Sequence, residues 1–221
     1  MTFSRAACFA PKNPRWQNYV DIWTQIPLLT FVKNTVKITV VVTLLQLFTS
    51  SFAAYAFAKM QFKGKNVLFL GYIATIAVPW QAYMVPQFMM MSSWHLNNTH
   101  LAIMCLQAFS AFGVFLMKQF YEGVPTELCE AARIDGLSEY GIWWHIMLPL
   151  SLPALSTLTI FTFVNTWNDF LGPLIYLTKT ELKTIQIGLR MFITQYSAEY
   201  GLIMPFYIDD MRVKRYFAPH L

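Results

Sequence analysis

Charged residues are scarce in this chain. Asp, Glu, Lys and Arg together make up 12% of its 221 residues, whereas hydrophobic residues make up 56%. Soluble globular proteins carry about 25% charged residues, so this chain has too few of them to cover a soluble surface. Its high apolar content also excludes intrinsic disorder, which requires low hydrophobicity. The composition therefore indicates a membrane protein.

The sequence also lacks the patterns of several reactive sites. Its three cysteines, Cys8, Cys105 and Cys129, are too widely spaced to predict a disulfide framework or a metal cluster. His95 and His100 do not have the spacing of an HExxH zinc site, and no G-x-x-x-x-G-K-[ST] nucleotide-binding loop occurs. We therefore expect no enzyme activity, no metal site and no ATP site in this chain.

The charges that are present lie between long apolar runs. No charged residue occurs from Ile38 to Ala58, from Asn66 to Met117 or from Tyr140 to Asn168. A membrane-spanning helix needs about 20 mostly apolar residues, and strands of a membrane barrel are only about ten residues long. The second run accommodates two spans around its polar middle, 92–100. The sequence thus predicts an all-α polytopic membrane protein with spans at 36–58, 67–91, 101–119 and 148–168.

The distribution of lysines predicts the orientation of these spans. The loop 59–65 contains three lysines and no acid, whereas the loop 92–100 contains no charged residue. Cytoplasmic loops are enriched in Lys and Arg, so we expect 59–65 and 118–147 in the cytoplasm and 92–100 and 178–200 outside. The net charge of +5 follows this membrane pattern and does not predict nucleic-acid binding.

The polar stretch 122–147 has the signals of two short helices. Residues 127–135 are mostly good helix formers and are followed by Gly136, which favours a helix end. Ser138 can cap a second helix with an apolar stripe. We expect Ala131 and Ala132 to be exposed on the first helix, where small side chains allow another surface to approach closely. An ordinary amphipathic helix at the membrane interface is the alternative interpretation.

The same stretch contains a spaced pattern, and this pattern resembles the EAA signature of bacterial ABC importer permeases. The pattern has a first block, a glycine after three intervening residues, and a last block after nine more. Its residues are, in this order, Glu130, Ala131 and Ala132, then Gly136, then Ile146, Leu148 and Pro149. The flanking segments 120–125 and 148–155 agree with the signature. The segments 53–58, 161–163 and 167–170 are similar to the carbohydrate branch of the family, which contains the smaller maltose-type and glycerol-phosphate-type permeases. The resemblance extends from about residue 18 to about residue 204.

The resemblance implies a coupling role for the loop 118–149. In this family the signature loop is a helix seated in a groove of a cytoplasmic ATPase subunit. Glu130 would face basic residues of that subunit, Ala131 and Ala132 would make the close contact, and Gly136 would form the turn. The other implied partners are a second permease subunit in a heterodimer, an ATPase dimer that binds ATP and magnesium, an extracytoplasmic sugar-binding protein and the lipid of the inner membrane.

The ends of the chain depart from the family, which usually has six spans. We expect an extracytoplasmic N-terminal segment at 1–35, a permease domain at 36–200 and an atypical tail at 201–221, and both ends look truncated. The leading function is a sugar-importer permease subunit. The alternative is a non-transporting remnant or paralogue that keeps only the ATPase-docking helix.

Polar residues near the end of the last span are candidates for a translocation path. Asp169 is the acid nearest a span, and such acids are often functional. It could bind a proton or the substrate, or it could cap the last span where that helix leaves the bilayer. We expect this helix to end there, because Gly172 and Pro173 follow at once. Asn165 and Asn168 could line a path with it or could join helices. Pro79 and Pro86 predict a kink in the second span.

Overall fold

The computed structural model describes residues 27–195, with side chains described through Met191. Every regular element in this range is helical, as predicted. Two compact units are present, and the larger, Thr30–Ile187, contains the contacts considered below. The helices have the following bounds: α1 Leu28–Lys59, α2 Lys65–Ala74, α3 Trp80–Ser93, α4 His100–Gln107, α5 Ala111–Glu122, α6 Thr126–Ile134, α7 Glu139–Ile142, α8 Leu148–Leu150, α9 Leu152–Trp167, α10 Leu171–Tyr176 and α11 Ile185–Gln195.

Two helical stretches are long and apolar enough to cross a membrane. One is α1, which has 32 residues and begins eight residues before the predicted span 36–58. The other is His100–Glu122, which is formed by α4 and α5. Serine and threonine caps set the starts of α4 and α5: Thr99 accepts a hydrogen bond from the Ala102 N–H, and Ser110 accepts one from the Gly113 N–H. These two stretches correspond to the predicted first and third spans.

The predicted second and fourth spans are instead pairs of sharply bent helices. Lys65–Ala77 and Trp80–Ser93 meet at 101°, and Glu139–Leu150 meets Leu152–Trp167 at 80°. Val78 has an extended backbone before Pro79, because a proline ring disfavours helical geometry in the preceding residue. The break is therefore at Pro79, as predicted, whereas Pro86 remains inside α3. By length and composition, the described residues contain two helical stretches that could cross a membrane, or up to four if each bent pair is one span.

Hydrogen bonds gather the loops into the two groups that the lysine pattern predicted. At one end, the Lys59 ammonium donates to the Val124 carbonyl, which joins the end of α1 to the segment before α6. At the other end, the Asn98 carboxamide accepts a 2.7 Å hydrogen bond from the Thr178 N–H. The loop 59–65 and the loop before α6 thus lie on the same side, opposite the loop 92–100.

Two α-helices follow α9 in the described residues. The last span ends close to Gly172 and Pro173, as predicted, because α9 ends at Trp167 and a separate helix, α10, begins at Leu171 and contains both residues. Proline is accepted there because the first turn of a helix has no partner for its N–H groups. The stretch 178–200, which is expected outside the membrane, contains α11, whose Ile185 and Ile187 are buried. The predictions for 1–26 and 196–221 lie outside the described residues.

The loop grouping generates a test of orientation. In a chain whose three native cysteines are replaced by serine, a cysteine at the exposed Lys63 should react with a membrane-impermeant maleimide only from the cytoplasmic side. A cysteine at the exposed Ser93 should react only from outside. Labelling of intact cells and of inverted vesicles measures both. The reverse pattern would contradict the predicted orientation.

Candidate coupling loop and transmembrane cavity

The first helix of the signature loop, α6, ends in a motif that requires Gly136. The Gly136 N–H donates to the Arg133 carbonyl, and the Leu137 N–H donates to the Ala132 carbonyl, both at 3.0 Å. These two bonds form a Schellman motif. Gly136 has a φ of 84°, in the left-handed region that glycine adopts without steric cost. The predicted end of the helix at Gly136 is confirmed. At its other end, α6 begins at Thr126, directly after Pro125.

The second loop helix begins at the predicted cap and contains a π-helical turn. The Ser138 hydroxyl accepts a 3.2 Å hydrogen bond from the Gly141 N–H. The helix continues from α7 through a π-helical turn at Trp143–Met147 into α8. The predicted apolar stripe is confirmed, because Ile142, Trp143 and Met147 are fully buried. This stripe fixes the second loop helix against the transmembrane helices.

The prediction that Ala132 is exposed is wrong. Its exposed fraction is 3%, and it packs in one apolar cluster with Cys129, Tyr55 and Met147. Cys129 lies one turn earlier on the same face of α6 and its Sγ is 3.8 Å from the Met147 Sδ. Burial raises the pKa of the Cys129 thiol, which makes it a packing residue. Ala132 therefore seats α6 on its own protein and offers no surface to a partner.

A polar cluster joins the two loop helices to the first span. The Glu139 carboxylate accepts hydrogen bonds from the Arg133 guanidinium at 2.7 and 3.2 Å and from the Tyr55 hydroxyl at 2.6 Å. The Glu139 carboxylate also raises the pKa of Arg133. Charge-assisted bonds of this kind are short and directional. The cluster thus connects α6, α7 and α1 through a single carboxylate, and no residue of it was singled out from the sequence.

The opposite face of α6 is exposed and mixes apolar and acidic side chains. Glu130 and Ala131 are exposed, as predicted. Ile134 lies one turn further along and has an exposed fraction of 87%. Ile134 was not predicted from the sequence, although its spacing of four from Glu130 places both on one side of a helix. We call Glu130, Ala131 and Ile134 the outer face.

The remaining signature residues do not belong to the outer face. Ile146 and Leu148 are half-buried and pack against the same apolar cluster as Ala132. Pro149 is exposed in α8. Just after it, the Ser151 hydroxyl donates to the Leu148 carbonyl at 2.8 Å and lies 3.3 Å from the Tyr121 hydroxyl. The last block of the signature therefore forms the junction between the loop and α9.

A cavity of about 690 Å³ lies among α1, α3, α4, α5, α9 and α10. The three candidate path residues, Asn165, Asn168 and Asp169, all line it. Other helices contribute side chains that were not predicted from the sequence, among them Gln46, Gln87, Gln107, Trp80 and Tyr83. The structure thus brings the predicted path residues together in one mixed polar and aromatic cavity.

Asp169 is held by hydrogen bonds from two directions. Its Oδ2 accepts a 2.6 Å bond from the Gln107 side chain, and its Oδ1 accepts a 3.1 Å bond from the Gly172 N–H. The predicted capping role is therefore correct in kind, but the helix it caps is the following α10 and not the end of α9. The Asn168 amide donates to the Val164 carbonyl at 2.8 Å, which leaves its oxygen available.

Comparisons with known proteins agree with this architecture. Residues 18–208 match the family described as binding-protein-dependent transport system inner membrane component. The arabinooligosaccharides transport system permease protein AraQ of Halalkalibacterium halodurans is 36% identical over 96% of this chain and 80% of its own length. The lactose transport system permease protein LacG of Rhizobium radiobacter is 35% identical over 86% of this chain and 69% of its own length.

A solved structure confirms the fold. One chain of a bacterial ABC transporter involved in the import of the acidic polysaccharide alginate has a TM-score of 0.81 and 24% identity, and the match covers 92% of this chain and 78% of that one. Together these findings define an α-helical permease of the inner membrane. The chain belongs to the family of binding-protein-dependent transport system inner membrane components, and the resemblance seen in the EAA signature is confirmed.

The two neighbouring alanines of the signature should respond differently to the same substitution. Ala132→Trp should lower the free energy of unfolding by about 1–3 kcal/mol or more, because a large ring is forced into a filled core. Ala131→Trp, on the outer face, should change stability by less than about 0.5 kcal/mol. Thermal unfolding in detergent measures both. Equal losses in the two variants would contradict the assigned faces of α6.

Gly136 should tolerate only residues that accept a left-handed backbone. A Cβ atom at this position meets nothing within 4 Å, so the cost of a substitution is conformational and not steric. Gly136→Val should destabilise by about 1–2 kcal/mol, whereas Gly136→Asn should be milder because asparagine enters this region more readily. The same unfolding measurement tests the pair. A valine variant as stable as the parent would argue against the Schellman motif.

Proposed function

We propose that this chain is a transmembrane permease subunit of an ATP-driven, binding-protein-dependent sugar importer, and that its outer face docks on a cytoplasmic ATPase subunit. The observation that carries the proposal is the two-sided construction of α6. Cys129 and Ala132 fix one side in the permease core, while Glu130, Ala131 and Ile134 leave the other side without a partner among the described residues.

The chemistry of the outer face suits a groove on another protein. Ile134 supplies an exposed apolar anchor, Ala131 lets the partner approach closely, and Glu130 with the exposed Glu127 and Asp135 surrounds them with negative charge. A helix that lays an apolar strip into a groove is a common mode of recognition. Acidic flanks favour a groove with a basic rim.

The attachments of α6 suit the transmission of movement. The Arg133–Glu139–Tyr55 cluster and the Lys59–Val124 bond connect the loop to α1, and the Ser151 junction connects it to α9. A rigid-body displacement of the loop would therefore displace two transmembrane helices. Such movement is the usual structural basis of a switch between alternative states.

The remaining parts of the importer would be supplied by other chains. ATP and magnesium would bind to an ATPase dimer, an extracytoplasmic binding protein would deliver the sugar, and a second permease subunit would complete the pathway. The sugar assignment is supported by the relatives, whose names refer to arabinooligosaccharides, lactose and starch degradation products. The cavity lined by Asn165, Asn168 and Asp169 is the proposed section of the translocation path in this chain.

Docking can be tested by co-purification of the ATPase subunit expressed with this chain. Ala131→Trp, Ile134→Lys and Glu130→Lys should each lower the recovered ATPase at least about tenfold, as expected for central contact residues, and should lower sugar uptake equally. Lys63→Ala, an exposed change in another loop on the same side, is the matched control.

The outcomes separate the possible functions. Unchanged ATPase recovery and uptake in all three variants would overturn the coupling role. Variant-sensitive ATPase recovery in a system that moves no sugar would instead support the non-transporting alternative. Because Ala131, Ile134 and Glu130 are exposed, their substitution should leave the unfolding temperature unchanged, so a loss of docking would not reflect misfolding.

A further inference from the structure

The cavity has the size and lining of a ligand site. Its volume of about 690 Å³ falls within the range of about 300–1,000 Å³ that is common for small-molecule sites. We propose that this cavity itself binds the transported saccharide and that it selects uncharged sugars over acidic ones. This inference rests on the proposed function, and it assigns to this subunit a direct part in substrate selection.

The charge of the lining excludes an acidic sugar. Asp169 is the only charged residue among the described residues that line the cavity. A uronate carboxylate would lose its water without gaining a cation, and it would come close to a carboxylate of the same sign. Burying a charge without a partner is strongly unfavourable. A neutral sugar avoids this cost.

The carboxylate of Asp169 is engaged by the protein. Gln107 and the Gly172 N–H each donate to one of its oxygens. It is therefore held in place by donors of the protein itself and not reserved for a cationic ligand. Each oxygen keeps a second lone pair, which can accept from a sugar hydroxyl.

Further polar groups in the lining match the hydroxyl groups of a sugar. The side chain of Asn165 is exposed and has no hydrogen-bond partner within residues 27–195. The Oε1 of Gln87 accepts a 2.9 Å bond from the Trp80 Nε1, so its amide N–H groups can donate to a ligand. A hydroxyl both donates and accepts, and these side chains offer both kinds of partner.

The aromatic side chains of the lining complete the match. Trp80 and Tyr83 come from α3, and Phe161 comes from α9. A sugar ring has apolar C–H faces and polar edges, so aromatic walls with a few placed polar groups suit it better than a uniformly polar pocket. A transporter with this fold takes part in the import of an acidic polysaccharide, so the fold alone does not determine whether the transported sugar is charged. The residues that line the cavity would determine this.

Matched sugars test the charge selection directly. The complete importer, in lipid nanodiscs and without its binding protein, is titrated calorimetrically with galactobiose and with digalacturonate, which differ mainly in their carboxylates. Arabinotriose, lactose and maltotriose extend the neutral set. At least one neutral sugar should bind, and digalacturonate should bind at least about tenfold more weakly. Equal or tighter binding of digalacturonate, or binding of no neutral sugar, would overturn the proposal.

Variants at Asn165 link the selection to this cavity. Asn165→Ala should weaken neutral-sugar binding about tenfold, the usual effect of losing one good hydrogen bond. Asn165→Arg should reverse the preference and favour digalacturonate, because it places a cation in the lining. Ser156→Ala, at an exposed position of α9 outside the lining, should change nothing. Unaltered selectivity in both Asn165 variants would overturn the proposal.

The coupling role is tested separately in the same samples. None of the three substitutions at Asn165 and Ser156 lies on the outer face of α6, so ATPase recovery should be unaffected in all of them. Normal ATPase recovery together with unaltered sugar selectivity would reject the cavity as the selecting site while leaving the proposed function intact. Loss of ATPase recovery in the parent protein would reject the proposed function itself.

Discussion

Burial of Trp143 is the contact on which the arrangement of the coupling loop depends. Its ring is fully buried and meets the rings of Phe48 and Phe52 edge-on, with centroid distances of 5.5 and 5.3 Å. This edge-to-face geometry is the favoured one for aromatic pairs. Trp143 begins the π-helical turn between α7 and α8, so its position against α1 sets the direction of the second loop helix. Glu139, one turn earlier, is thereby brought to Tyr55.

Helical geometry explains why the first block of the EAA signature is divided between two sides of α6. Successive residues of an α-helix are about 100° apart, so three consecutive residues cannot all face the same partner. In this chain Ala132 joins Cys129 on the inner side, while Glu130 and Ala131 join Ile134 on the outer side. A small residue suits each side for a different reason: Ala132 fits a filled core, and Ala131 would permit the proposed partner to approach closely.

The sequence predicted those features that local chemistry determines. Missing charges located the membrane segments, and Gly136 and Ser138 marked the ends of the loop helices because glycine conformation and hydroxyl capping act within a few residues. Burial of Ala132 was not predicted, since a small apolar side chain suits a filled core as well as a surface that a partner approaches closely. The position of the break at Pro79 was predicted, because a proline acts on the residue before it, whereas its angle of 101° and the start of a new helix at Leu171 have no local signal in the sequence.

The outer face and the cavity are connected by one stretch of backbone. The loop helices lead through Ser151 into α9, and Asn165 lies 13 residues beyond the start of that helix, about 20 Å away at 1.5 Å per residue. A helix transmits a displacement along its length because its backbone hydrogen bonds keep it stiff. A displacement of the loop that leaves the 80° bend at Ser151 unchanged would thus shift the polar lining of the cavity. In this arrangement, the proposed docking on one side of the membrane would alter the proposed binding site within it.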